Sequence, residues 1–395
     1  MSRRTRARLI REIETKRNTH LITYVLGDRP FLLAAIAGDA VRPFYDQLRA
    51  LNKGRKALKP IDLLVYSRGG QLEVPWPLVS TIREFTDKFH VLIPFRAHSA
   101  ATMIALGADK IVMGPKGELG PIDPQLLLPP REGDRKAPPA QVGVEDITAY
   151  LAFVKEKGGL TDQDALSKLV AILAEKVDPI LLGNAYRAYS HIRLVGRKLL
   201  SLHTPPLTES AISSLVEALT ERLYLHGHAI GRVEARNFGF DIEDMDEYVE
   251  ERAWRLFEDY ESLLRLRETS DAESLFPDDS TDQYDEDNAI IAVIESVTRM
   301  DGFIGRMRMR RIRRVPPQVT LNMQLVVPPP QLPQAQLTPQ QLQQMVQQIT
   351  QAAIPSVMQQ AIAQLEQLLH QRAPVEGLQV RLVGGVWRNI TGQGL

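Results

Sequence analysis

The order of segments along the chain predicts an α/β protein with a mostly parallel sheet. Apolar runs of strand length recur at THLITYVLG (19–27), IDLLVYS (61–67), HVLIPF (90–95) and DKIVMG (109–114). Helical stretches separate them, and strands apolar along their whole length are those buried on both faces of a parallel sheet. Residues 8–125 therefore read as an α/β core.

The elements follow in order. Residues 1–17 carry Arg3, Arg4, Arg6, Arg8 and Arg11, with Leu9, Ile10 and Ile13 at helical spacing, so a basic amphipathic helix opens the chain. AVRPFYDQLRALNK (40–53) places Phe44, Leu48 and Leu51 on one helical face, and PLVSTIREFTDKF (77–89) and SAATMIALGA (99–108) are further helices. A polar, Pro-rich loop fills 127–141, and 144–266 is mostly helical, with Thr161 and Thr208 as N-caps. The expected units are 1–17 (basic helix), 18–266 (main domain), 267–288 (acidic, mobile linker), 289–336 (a strand with Arg-rich and Pro-rich sequence), 337–372 (a Gln-rich helix) and 373–395 (a strand or hairpin). Thr338-Pro339 opens the Gln-rich helix as N-cap and first helical position. Its apolar stripe runs from Leu342 to Leu369 and calls for self-association or docking.

Composition excludes several classes. Lys+Arg and Asp+Glu are 48 each, so no net charge draws the whole chain to nucleic acid or membrane. Cysteine is absent, which removes disulfides, thiol nucleophiles and thiolate zinc sites. No run approaches the roughly 18 to 20 apolar residues needed to span a bilayer. The N-terminus has no apolar signal core, so a cytoplasmic protein without a membrane span is expected. No metal site or cofactor is implied.

Chemistry concentrates between Tyr66 and Gln125. YSRGGQ sets Gly69 and Gly70 directly after a buried strand, where backbone can turn sharply and aim N–H groups at a ligand. AHSAATMIALGA puts Ser99 at a strand-to-helix junction, beside a helix N-terminus that favours a developing oxyanion. A plain N-cap is the alternative role for Ser99.

SRGG, HSAATMIALGADKIVMG and ELGPIDPQ together resemble the SDH (serine dehydrogenase proteinase) family, a Clp-protease-like branch of the Clp/crotonase superfamily related to signal peptide peptidase A. The likeness runs from LIREIETKRNTHLITYVLGDR to HAIGRVEARNFGFDI, over roughly residues 1–245. It implies a spiral core of ββα units, with a helical second half and a Pro/Gln-rich extension added. It also implies an ATP-independent serine peptidase, acting as a homo-oligomer on peptides or proteins through an acyl-enzyme. Ser99 falls on the nucleophile position, Gly69 and Gly70 on the oxyanion-hole glycines, and the Ala100 N–H joins them.

A serine nucleophile needs a group to take its proton. Where Clp-type peptidases place a His, this sequence has Asp123; where membrane-associated relatives place a Lys, it has Asp146. Neither pattern is reproduced. The substitutes are His98, Lys116, His226 and His228, against ordinary roles as a diverging neighbour, a solvated loop lysine and structural or surface histidines. Asp123 either orients a base or caps its turn. The base stays unassigned.

Six Arg lie within 306–314, yet no aromatic residue interleaves them and an acidic segment lies near, so pairing within the chain is expected over nucleic-acid binding. The Gln-rich helix is a candidate docking device for a partner protein. Two rivals stand beside the peptidase: a crotonase-type acyl-CoA enzyme with the same paired N–H groups, and a catalytically weak scaffold.

Overall fold

The computed structural model describes all residues except 1, 30, 55–57, 123–124, 129–139, 161, 221–227, 269–270, 280, 315–337, 394–395 and positions scattered through 342–372. Side chains at 125–128, 140–148, 151, 176 and 220 are also outside the description. The chain divides into two units, one of 1–270, 288–305 and 384–395, the other of 271–287 and 306–383.

The first unit begins with α1 (Arg3–Arg17), β1 (His20–Leu26), the short pair β2 (Asp28–Arg29) and β3 (Leu32–Leu33), and α2 (Val41–Asn52). It continues through β4 (Ile61–Tyr66), α3 (Pro75–Arg83), β5 (Phe89–Ile93), β6 (Arg96–Ala97), α4 (Ala100–Leu106), β7 (Lys110–Met113) and β8 (Glu118–Leu119). Next come the pair β9 (Gln125–Leu128) and β10 (Ala140–Gly143), then the helices α5 (Val144–Glu156), α6 (Gln163–Lys176), α7 (Pro179–Leu200) and α8 (Glu209–Thr220). The segment closes with α9 (Arg232–Asn237), β11 (Ile242–Asp244) and α10 (Glu247–Leu263). Beyond it, β12 (Gln283–Ser296), β13 (Met300–Arg313) and β14 (Val375–Asn389) each have residues in both units.

The sheet places β11, β7, β5, β4 and β1 side by side, all parallel, and β12 then pairs antiparallel with β1. A mixed α/β architecture with a mostly parallel sheet is therefore what the apolar runs produce. Side-chain alternation sorts the strands between two helical layers. Leu21 and Val25 of β1 pack with Leu9, Ile10 and Ile13 of α1 and with Leu256, Phe257 and Tyr260 of α10. Tyr24, pointing the other way, meets Phe44 of α2 edge-on at 5.1 Å.

Charge is buried with partners. Arg6 of α1 is fully buried, and its Nε and Nη1 each reach a carboxylate, Glu295 Oε2 and Asp259 Oδ2, at 2.8 Å. Tyr260 Oη donates to the same Glu295 oxygen at 2.8 Å. At the amino edge of the sheet, buried Asp62 accepts from Arg17, from Thr19 Oγ1 (2.9 Å) and from His90 Nδ1 (3.0 Å).

Several boundaries differ from the sequence reading. The helix expected over 77–89 ends at Arg83, because Phe89 is fully buried as the first residue of β5. The cap of α6 is Asp162, which accepts from the Ala165 N–H at 2.9 Å, and Thr161 lies outside the described residues. Thr208 does cap its helix, through Ala211 N–H. The mobile linker expected over 267–288 holds the start of β12 instead. In the second unit Asp287 pairs with Arg306, Asp285 with Arg308 (3.1 Å), Asp282 with Arg313 (2.7 Å) and Glu273 with Arg311 (2.7 Å). Opposite charges facing each other stabilise the strands that like charges alone would repel. The Pro-rich 315–336 stretch and much of the Gln-rich 337–372 segment lie outside the described residues. Among the described residues no helix is long and apolar enough to cross a membrane.

Candidate active site

Past the carboxyl ends of the parallel strands, the chain turns into a second, narrower row of pairings. Ile36 bridges Gly70, Ser67 bridges Ala97, β6 pairs with β8, and Leu119 bridges Ile230. The carboxyl edge is where α/β sheets present their ligand sites. Two backbones meet there, the Ser67–Gly70 loop after β4 and the His98–Ser99 junction before α4.

The loop is built from glycines because nothing else fits. Gly69 has φ 117° and Gly70 φ 156°. A Cβ on Gly69 would lie 2.8 Å from Ser99 Cβ, and one on Gly70 only 2.2 Å from Ile36 O. Ile36 donates to Gly69 O and accepts from the Gln71 N–H, both at 2.8 Å. Alternation along an extended strand then leaves the Gly70 N–H on the opposite edge, with no acceptor among the described residues. The Gly69 N–H is already engaged, donating to Ser67 Oγ at 2.9 Å. The expected pair of glycine donors is thus reduced to Gly70, while Gly69 supplies room for Ser99.

Ser99 holds φ 50°, ψ −113°, a sparsely populated conformation. Such backbone costs on the order of 1–3 kcal/mol and persists only where the surroundings impose it. Ser99 occupies the N-cap position of α4, yet its side chain makes no cap hydrogen bond, so the simple capping role is not realised. Its Oγ bonds to no described residue. The Ala100 N–H, in the unsatisfied first turn, likewise has no described acceptor, whereas Ala101 N–H donates to His98 O at 2.9 Å. Fully buried Thr102 anchors the junction: its Oγ1 lies 2.7 Å from Ala97 O and 2.8 Å from Gly120 O, and accepts from the Gly120 N–H at 3.2 Å.

His98 leans the other way, since a Cβ on Gly120 would lie 2.9 Å from its Cγ. Its Nε2 is 3.2 Å from Glu118 Oε1 but lacks the alignment of a hydrogen bond. Burial lowers the His98 pKa from 6.5, Arg68 and Arg96 add to this, and Glu118 opposes it, so the imidazole is neutral at pH 7.

The remaining described candidates lie beside carboxylates. Lys116 is 64% exposed, with Nζ 3.7 Å from Glu118 Oε2, a solvated loop lysine. His228 Nε2 bonds Glu234 at 2.8 and 3.0 Å on a half-exposed surface. Asp123 and His226 lie outside the described residues, as does the Asp146 side chain. No group of three or more His, Asp or Glu suited to a metal occurs among the described residues. The sequence reading missed Asp28, Ser67, Thr102 and Glu118. Glu118 stood in the quoted ELGPIDPQ, and the polar Ser67 closing an apolar strand was the other visible signal.

Fold and junction define the class: an α/β protein with a mostly parallel sheet, carrying a strained serine at a strand-to-helix elbow beside a double-glycine loop. Over residues 1–179 the chain matches the family of ClpP-like SDH-type serine proteinases. An uncharacterised protein of Methanocaldococcus jannaschii is 29% identical over 267 residues, which cover 67% of this chain and 81% of that one. A second from the same organism is 32% identical over 124 residues, covering 31% and 42%. ClpP1 from Listeria monocytogenes is 13% identical with a TM-score of 0.31, covering 61% of this chain and 97% of that one. A membrane-bound stomatin-specific protease in complex with a substrate peptide is 16% identical with a TM-score of 0.32, covering 57% and 76%. At such scores neither solved structure fixes a residue correspondence.

Proposed function

We propose that the protein is a serine peptidase that hydrolyses peptide bonds through an acyl-enzyme on Ser99. The observation that carries this reading is the elbow itself: a strained serine, uncapped and part-exposed, with two unclaimed N–H groups beside it. Ser99 Oγ attacks the scissile carbonyl carbon, and the Gly70 and Ala100 N–H groups receive the oxyanion. The C–N bond then breaks, and the proton that left Ser99 ends on the departing amine. Water next adds its hydroxyl to the acyl carbon, the bond from that carbon to Ser99 Oγ breaks, and water's other proton returns to Ser99. Candidates to shuttle that proton include His98, one residue away, and Asp123, three residues beyond Gly120 in sequence. Lys116, solvated and 3.7 Å from Glu118, and His228, bonded to Glu234, stay candidates, as does His226.

A homo-oligomer fits this reading, because Phe153, Ile180 and Tyr186 on α5 and α7 are exposed large apolar side chains. The test is release of acid-soluble peptides from an unfolded protein substrate. Wild type should cleave and Ser99→Ala should not. Equal cleavage by both would overturn the assignment, and thioester hydrolysis of an acyl-CoA without peptide cleavage would favour the crotonase-type chemistry.

A further inference from the structure

We infer that Asp28 is a positioning residue for the Ser99 site, holding the glycine loop and the elbow in register through Arg68 and Arg96. This rests on the reading of Ser99 as nucleophile. Asp28 belongs to β2, outside both segments, and its side chain is only 12% exposed.

One of its oxygens, Oδ2, serves three partners. It accepts from Arg68 Nε at 2.7 Å and from Tyr66 Oη at 3.0 Å, and lies 3.7 Å from Arg96 Nη1. Tyr66 and Arg68 bracket Ser67, whose Oγ takes the Gly69 N–H. Arg96 begins the Arg96–Ser99 approach to the elbow, and its carbonyl accepts from the Ser67 N–H at 3.0 Å. Arg96 Nε donates onward to Glu118 Oε1 at 2.9 Å, and its guanidinium lies 4.2 Å from the Phe95 ring centre. One carboxylate therefore ties both strands that meet at Ser99.

A surface ion pair contributes little, but this carboxylate is mostly out of water, hydrogen-bonded to Tyr66 and Arg68 and ion-paired at 3.7 Å with Arg96 of the second strand. The Gly69–Ser99 approach tolerates no slack, since a single added methyl would already collide. Removing Asp28 leaves Arg68 without its bonded partner and frees the loop to drift from the elbow.

The experiment uses the full chain and a fluorophosphonate probe, with kinact, KI and melting temperature recorded for each variant. Asp28→Ala should lower kinact about 10²-fold, the scale of an ångström-sized misplacement, with KI unchanged. Asp28→Glu should restore most of the rate, and Arg68→Ala should show a smaller fall because the Tyr66 hydrogen bond and the Arg96 ion pair remain. If Asp28→Ala does not fold, the isosteric Asp28→Asn and the half-exposed Arg68→Ala carry the same reading. A kinact within about two-fold of wild type in folded Asp28→Asn and Arg68→Ala would overturn the inference. So would losses that track melting temperature without rescue by Glu. Labelling of wild type at Ser99 with unchanged variants overturns this inference alone; wild type unlabelled overturns the nucleophile reading and this one with it.

Discussion

At Gly69 and Gly70 the two glycines of one loop fail for different reasons when given a side chain. A methyl on Gly69 strikes the Ser99 side chain at 2.8 Å, whereas one on Gly70 strikes the Ile36 backbone at 2.2 Å. Gly69→Ala is thus expected to lose reaction at Ser99, by about 10² or more if the elbow is displaced, and its φ of 117° adds backbone strain that lowers stability too. Gly70→Ala is expected to lower the melting temperature further, because the Ile36 backbone 2.2 Å away cannot step aside. Paired thermal melts and probe labelling check both, and a Gly69→Ala protein labelled at the wild-type rate would contradict the geometry. The candidate residues could be named beforehand: Ser99, Gly69 and Gly70 stood in short motifs, and the structure brings Gly69 and Ser99 together. What a sequence does not display is which N–H is already spent, and the Ser67 hydroxyl removes Gly69 from the available donors. Nor does it display a partner such as Asp28, forty positions before Arg68, because ion pairs across a sheet edge leave no local periodicity.

Among the elements, the parallel strands were readable because burial on both faces demands apolar residues throughout. The acidic stretch of β12 was not, since runs of like charge read as solvated linker until the opposing Arg strand is seen. That pairing has a consequence for partners. Arg306, Arg308, Arg311 and Arg313 each face a carboxylate, so the full chain should show no salt-dependent binding to a labelled oligonucleotide by fluorescence anisotropy. Binding that weakens steeply with salt would show these arginines to be open to phosphate. Helix α1 supplies a second case. Leu9, Ile10 and Ile13 announced its buried face, but Arg6, buried with them, did not. Arg6→Met leaves Glu295 and Asp259 without their shared cation, and destabilisation of about 3–5 kcal/mol is expected. Urea denaturation measures it, and an unchanged midpoint would place the stabilising contacts of α1 elsewhere.

For the molecule as a whole, stability should depend on pH through two part-buried histidines. Burial lowers the pKa of His203, whose Nε2 lies 2.7 Å from Leu106 O, and that of His98. The unfolded chain therefore binds more protons than the folded one around and below pH 6.5. Their stabilising contribution is complete above that pH and is lost as pH falls. Asp109 acts in a lower window: burial alone would raise its pKa, but Arg83 and the Phe89 and Thr204 N–H groups hold it below 3.8. Melting temperature is accordingly expected to fall between pH 7.5 and 5.5, with a shallower slope in His203→Gln. An identical slope in that variant would show that His203 titrates alike in both states.

The central claim is an activated Ser99 hydroxyl, and the most direct measurement is reaction of the full chain with a fluorophosphonate probe, the modified peptide being mapped by mass spectrometry. The structure predicts one adduct per chain, on Ser99, absent from Ser99→Ala. An adduct on another residue, or none on the intact assembled protein, would contradict it.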